Sequence, residues 1–104
     1  MPQNSGWSPL VNEWVEKEND CFGVYHLSDE DGTILYIGEG HVLTNLKSHI
    51  PEGSNPLRGA TRYHVEYAGN ERQAEVKLKT TLKEWKKEHG QLPRYNLLSP
   101  NVLS

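Results

Sequence analysis

Two short segments, Gly23-Val24-Tyr25 and Tyr36-Ile37-Gly38, are separated by ten residues that contain a turn, and this spacing constrains the fold more than any other feature of the chain. Phe22 to Leu27 and Thr33 to Ile37 are rich in β-branched and aromatic residues, and Asp29-Glu30-Asp31-Gly32 between them has the chemistry of a hairpin turn. Strand alternation puts Phe22, Val24 and His26 on one face and Gly23, Tyr25 and Leu27 on the other. Tyr25 and Tyr36 therefore share a face only in a compatible register. Taken alone, two tyrosines on a hairpin are also what an ordinary half-buried sheet carries, because Tyr favours strands.

The segments on either side add helices and one more strand. Ser8 as N-cap and Pro9 in the first helical position predict a short helix over Pro9 to about Glu18, with Leu10, Val11, Trp14 and Val15 at helical spacing. After the hairpin, Val42 to Ile50 reads as an amphipathic helix ended by Pro51. Residues Pro51 to Gly59 hold two prolines, two glycines, a serine and an asparagine, a surface-loop composition. Arg62 to Tyr67 alternates as a third strand. A long helix follows, capped by Asn70 with Gln73 reaching back, and stopped by Gly90 after Lys86, Lys87 and His89. The expected fold is a small α/β sandwich: a three-stranded sheet beginning with an antiparallel hairpin and flanked by helices.

At 104 residues the chain is one domain over 1–104, and its 35% hydrophobic content suits a thin layered structure. It offers no run of about 20 apolar residues that could span a bilayer and no secretory leader pattern, so a cytoplasmic protein without membrane attachment is expected. The single cysteine, Cys21, excludes an internal disulfide framework and a multi-cysteine metal site. Net charge is −3, but it is unevenly spread: residues 1–32 carry seven acids and one base, whereas residues 70–90 carry six bases and four acids. A basic late helix can present a face to phosphates even in an acidic protein. Such a helix is equally the ordinary solvated surface of a soluble domain.

With the elements in order, the chain resembles the GIY-YIG nuclease domain. The likeness rests on Gly23-Val24-Tyr25 and Tyr36-Ile37-Gly38, on Gly38-Glu39-Gly40 running into a helix with Asn45-Leu46-Lys47-Ser48-His49, and on Leu92-Pro93-Arg94-Tyr95-Asn96 at the far end. It covers residues 22–98 as a GIY-YIG-like core, leaving 1–21 as an N-terminal helical extension. The pattern departs at Asn45, where the family carries an arginine.

The resemblance implies a site. In the family a glutamate of the long helix binds one divalent cation, Mg²⁺ or Mn²⁺, at the scissile phosphate; a tyrosine helps activate water; the arginine steadies phosphate charge. A hard cation prefers carboxylate and phosphate oxygens and acidifies water, and guanidinium matches phosphate bidentately. Tyr25, Tyr36 and His49 are the candidate catalytic side chains. The glutamate has two registers: Glu75, as catalytic residue and metal ligand, or a register that puts Leu78 at its place and loses the ligand. On a wheel of about 3.6 residues per turn, Ala74, Leu78, Leu82 and Trp85 form the inner face and Glu75 borders it. Glu75 also fits a plain i,i+4 pair with Lys79. Arg72, Lys79, Lys83 and Lys86, together with Arg62, are candidate nucleic-acid contacts. Arg58 or Arg62 could replace the missing arginine, and His41 could donate to phosphate. Gly38 and Asn96 are expected to be structural, Asn96 tying the chain end to the hairpin.

Three functions follow as expectations. The first is a DNA- or RNA-binding domain on this fold with impaired or absent nuclease activity. The second is an active metal-dependent phosphodiester endonuclease with a rearranged phosphate clamp. The third is a protein-interaction module, with Trp7 and the acidic first third facing a partner.

Overall fold

The structure is a computed structural model that describes residues 7–98. Its centre is a four-stranded antiparallel sheet in the order β1-β4-β2-β3, formed by β1 (Ser8–Pro9), β2 (Phe22–Ser28), β3 (Ile34–His41) and β4 (Arg62–Tyr67). Helices α1 (Asn12–Val15), α2 (Val42–His49), α3 (Glu71–His89) and α4 (Arg94–Leu98) complete it. The expected sheet of three strands is thus corrected to four. Ser8 and Pro9 do not cap and start a helix; they pair with Tyr63 and Arg62 along the free edge of β4. Proline has no N–H to donate, which an edge strand tolerates, and the next amide, Leu10 N–H, donates to Thr61 O at 2.8 Å. The helix shrinks to one turn behind Val11, whose side chain cannot cap it. Part of the expected 1–21 extension is therefore a sheet strand; residues 1–6 lie outside the described part.

The hairpin turn closes through Asp29, whose carboxylate accepts from Asp31 N–H and Thr33 N–H, both at 2.9 Å. The long helix begins at the expected cap: Asn70 Oδ1 accepts from Gln73 N–H at 2.8 Å, while Gln73 Oε1 reaches back to Gly69 N–H at 2.9 Å. It stops at Gly90 (φ 84°). Asp20 caps α2 from outside, accepting from Thr44 N–H at 3.1 Å and from its hydroxyl.

Two apolar layers flank the sheet. On one face Tyr25, Leu27 and Tyr63 pack against Leu10, Val15, Val42, Leu46 and Ile50 beneath α1 and α2. On the other, Val24 and Ile37 pack against Leu78 and Leu82 of α3. Leu78, the alternative ligand position, is thus a core residue.

Glu18 fastens the loop after α1 to β4, its carboxylate accepting from Tyr63 Oη at 2.7 Å and Tyr67 Oη at 2.6 Å. Burial and this hydrogen bond push the Tyr67 phenol up to about 12. A phenol raised in the folded state contributes stability that is complete below the unfolded value of about 10 and is lost as pH rises through the folded value. The denaturant midpoint is therefore expected to fall between pH 9.5 and 12, and to fall less steeply in Tyr67→Phe. An equal slope in the two proteins would refute the role of this contact.

Candidate functional site

The register brings the two tyrosines to one face. Tyr25 lies opposite Gly38 and Tyr36 opposite Leu27, so Tyr36 stands two residues from Tyr25's partner on the same side of the pleat. Their ring centroids are 6.1 Å apart, and His49, from the last turn of α2, lies 5.9 Å from Tyr25 and 5.5 Å from Tyr36. Gly38 makes room for this cluster: a Cβ there would sit 2.6 Å from Tyr25 Oη and 2.7 Å from Tyr36 Cε2. Gly23 plays a similar part where α2 crosses the sheet, since a Cβ would meet Glu66 O at 2.8 Å and Val42 Cγ2 at 3.0 Å.

A relay runs through His49. Its Nδ1 lies 3.0 Å from Asn55 O, a pure acceptor, so Nδ1 carries the proton and Nε2 is left to accept from Tyr25 Oη at 3.3 Å. Burial lowers the proton affinity of His49, partly offset by the Asn55 bond. Burial, then the Tyr36 phenol, hold Tyr25 well above the usual phenol range, and burial likewise raises Tyr36. Both tyrosines are neutral donors at pH 7. Tyr25 is 2% exposed and Tyr36 half-buried, so Tyr36 is the phenol that a solvent-borne group can reach.

An imidazole held neutral by the fold costs stability once it must be charged. The contribution of His49 is complete above the unfolded value of about 6.5 and declines as pH falls below it. Stability is therefore expected to drop between pH 6.5 and 5, less so in His49→Gln, as read from denaturant midpoints. A His49→Gln profile parallel to the parent would exclude the relay as its source.

Glu75 stands apart from the tyrosine face. It is exposed on α3, across the sheet, beside Glu71, Arg72, Val76 and Lys79 around a shallow cavity. The link between the two sides is Glu39 on the outer strand β3. Burial raises the Glu39 carboxyl, with further contributions from Glu75 and Glu71, and its charge in turn raises both tyrosines. Glu39, inside the Gly38-Glu39-Gly40 segment, carries no sequence signal of this role; alternation assigns it to the face opposite Tyr36, and α3 packing over that face brings Glu71 and Glu75 near it. Asn55 had no signal, being one residue of a loop.

Asn45 does not supply the missing charge. Its Nδ2 donates to His41 O at 2.9 Å, one turn back on α2. His41 is exposed, and the start of α2 is already occupied by the Asp20 carboxylate, which repels a phosphate there. Arg72, Lys79, Lys83 and Lys86 are exposed, and among the described residues none of them is in a salt bridge, nor is Glu75. Arg62 lies elsewhere, lining a cavity of about 840 Å³ with Trp7, Pro9, Glu30, Asp31 and Thr61. Asn96, fully buried, donates to Ile37 O and accepts from Ile37 N–H, both at 2.9 Å.

The donor chemistry suits a hard divalent cation in one respect: Glu75 and Glu39 offer carboxylate oxygens whose mutual repulsion a cation would relieve. Among the described residues no group of three or more His, Cys, Asp or Glu is arranged to hold an ion. A cation bound by Glu75 would take its other ligands from water and substrate phosphate, the usual habit of Mg²⁺.

The fold and site define a small α/β domain with a tyrosine–histidine cluster beside an outer strand. By sequence the chain belongs to the domain family of unknown function DUF7508, whose model matches residues 1–88. No curated protein and no solved structure matches it. Among the described residues no helix is long and apolar enough to cross a membrane.

Proposed function

We propose that this domain binds nucleic acid on a GIY-YIG-like scaffold and has impaired or absent nuclease activity. The observation that carries this reading is the pairing of an exposed cationic stripe on α3, Arg72, Lys79, Lys83 and Lys86, with a site that lacks a cation where a phosphate clamp is needed. Exposed lysines and arginine without carboxylate partners are free to release counterions from a phosphate backbone. Asn45 is spent on a backbone bond, and Glu39, Glu71 and Glu75 gather negative charge on the α3 side of the sheet. Loss of a charge-stabilising group typically costs two to three orders of magnitude or more in phosphoryl and acyl transfer.

A second reading, an active Mg²⁺- or Mn²⁺-dependent endonuclease, is favoured by one observation, the Tyr25–His49–Asn55 relay. In this reading His49 Nε2 would hold the neutral Tyr25 hydroxyl in a fixed orientation, with Nδ1–H anchored on Asn55 O. When bound, the cation would supply an acidified water and charge neutralisation at the phosphate.

The test combines binding and cleavage. Labelled duplex, branched and single-stranded DNA and RNA are expected to bind with an affinity that falls steeply with salt, and Lys79→Glu with Lys83→Glu is expected to weaken binding about tenfold or more. With Mg²⁺ or Mn²⁺, cleavage is expected to be weak or absent and to rise in Asn45→Arg. Salt-independent or undetectable binding would overturn the reading in favour of a protein partner. Efficient cleavage by the parent, lost in both Glu75→Ala and Tyr36→Phe, would replace it with the active enzyme.

A further inference from the structure

The sheet face opposite the tyrosine cluster holds a second group of side chains that the proposed function does not use. His26 on β2 and His64 on β4 are direct cross-strand partners, so their side chains leave the same face side by side. Their ring centroids are 5.8 Å apart at an interplanar angle of 62°.

The other three histidines each place Nδ1 against a backbone carbonyl: His41 on Asp20 O, His49 on Asn55 O and His89 on Trp85 O. Among the described residues no side-chain hydrogen bond engages His26 or His64, and His26 Nδ1 is buried without a partner. A buried imidazole nitrogen with nothing to bind is costly unless another ligand satisfies the ring.

We propose that His26 and His64 form a two-imidazole site for a divalent ion of borderline softness, Zn²⁺, Ni²⁺ or Cu²⁺. Zinc binds imidazole nitrogen at about 2.0–2.1 Å, which puts the ion about 3.2 Å from each ring centroid. The centroids would then be about 5.2 Å apart at a tetrahedral angle and about 6.4 Å at a linear one. The observed 5.8 Å falls between them, so the ion needs only side-chain rotation, not movement of the strands. Burial, then the neighbouring His64, lower the proton affinity of His26, which keeps it in the neutral, ligating form. Glu66, two residues from His64 on the same face, is held in a 3.1 Å salt bridge to Lys77, so water completes the coordination shell. Two nitrogen ligands favour Cu²⁺ over Ni²⁺ and Zn²⁺ and give no purchase to a hard ion. Bound there, the ion would clamp β2 to β4 beneath Trp7, whose ring lies 5.6 Å from that of His64.

The test is calorimetric titration of ZnCl₂ and NiCl₂ into the full chain, with His26→Gln, His64→Gln and His89→Gln beside it and circular dichroism to confirm folding. One ion per chain is expected, with affinity at least tenfold weaker in His26→Gln and His64→Gln and unchanged in His89→Gln. Should His26→Gln fail to fold, His64→Gln decides alone, because the His64 ring is half-buried and makes no side-chain hydrogen bond among the described residues. Absence of saturable binding by the parent, or binding that survives His64→Gln, overturns the site. Neither result bears on the tyrosine cluster, which lies on the other face.

Discussion

Replacing Asn96 by alanine is expected to destabilise the domain by about 3 kcal/mol, read as a fall in the urea midpoint at constant slope. Strand β3 is the outer strand of the sheet, so its outward backbone groups have no neighbouring strand. The amide of Asn96 takes that place at one residue, accepting from Ile37 N–H and donating to Ile37 O at 2.9 Å each. Ile37 is itself fully buried, so water cannot replace the lost partners. Two hydrogen bonds disappear, each worth about 1 kcal/mol net, and both backbone groups are left unsatisfied at a further cost. In a domain of this size the loss corresponds to roughly 12–24 °C in Tm. Amide exchange at Ile37 is expected to accelerate in the variant. A change below about 1 kcal/mol, with Ile37 exchange unaltered, would mean that α4 does not hold the edge.

The second large effect is expected at Gly38, where alanine should cost about 2–3 kcal/mol and dismantle the tyrosine cluster. The added methyl would lie 2.6 Å from Tyr25 Oη and 2.7 Å from both Tyr25 Cζ and Tyr36 Cε2, inside the approach that real Cβ atoms permit. Tyr25 cannot withdraw, because it is 2% exposed and packed among Leu27, Val42, Leu46 and Tyr63. Tyr36 is half-buried and can swing outward, so it is the ring expected to move. The two readouts are a lowered denaturant midpoint and loss of ring-current shifts at His49, whose imidazole lies 5.5 Å from the Tyr36 ring. Unchanged His49 resonances with full stability would show that the cluster tolerates a side chain at this position.

Much of the fold was legible because its signals are local. The hairpin follows from β-branched and aromatic runs around Asp29 to Gly32, and the turn closes through Asp29 as its residue type allows. The Asn70 cap and the Gly90 stop are read from side chains within one helical turn of each end. The first strand was not legible: Ser8 and Pro9 obey helix-start rules as well as any pair. The free edge of β4, more than fifty residues away, decides otherwise, because its unpaired backbone groups are satisfied by the passing chain.

The sequence by itself determined the pair of tyrosine strands, the amphipathic α3 with its cationic outer stripe, and the absence of an arginine at Asn45, since each depends on residue type at short spacing. Tertiary structure alone decided which groups meet. Tyr25, Tyr36 and His49 converge because antiparallel register sets Tyr25 opposite Gly38 and α2 returns His49 to that face. Glu39 gains Glu71 and Glu75 as neighbours because α3 packs over its face of the sheet, and His26 meets His64 because β4 returns beside β2 in the register that sets them opposite each other. Such meetings depend on register and strand order, which long-range backbone pairing establishes and no short stretch of sequence encodes.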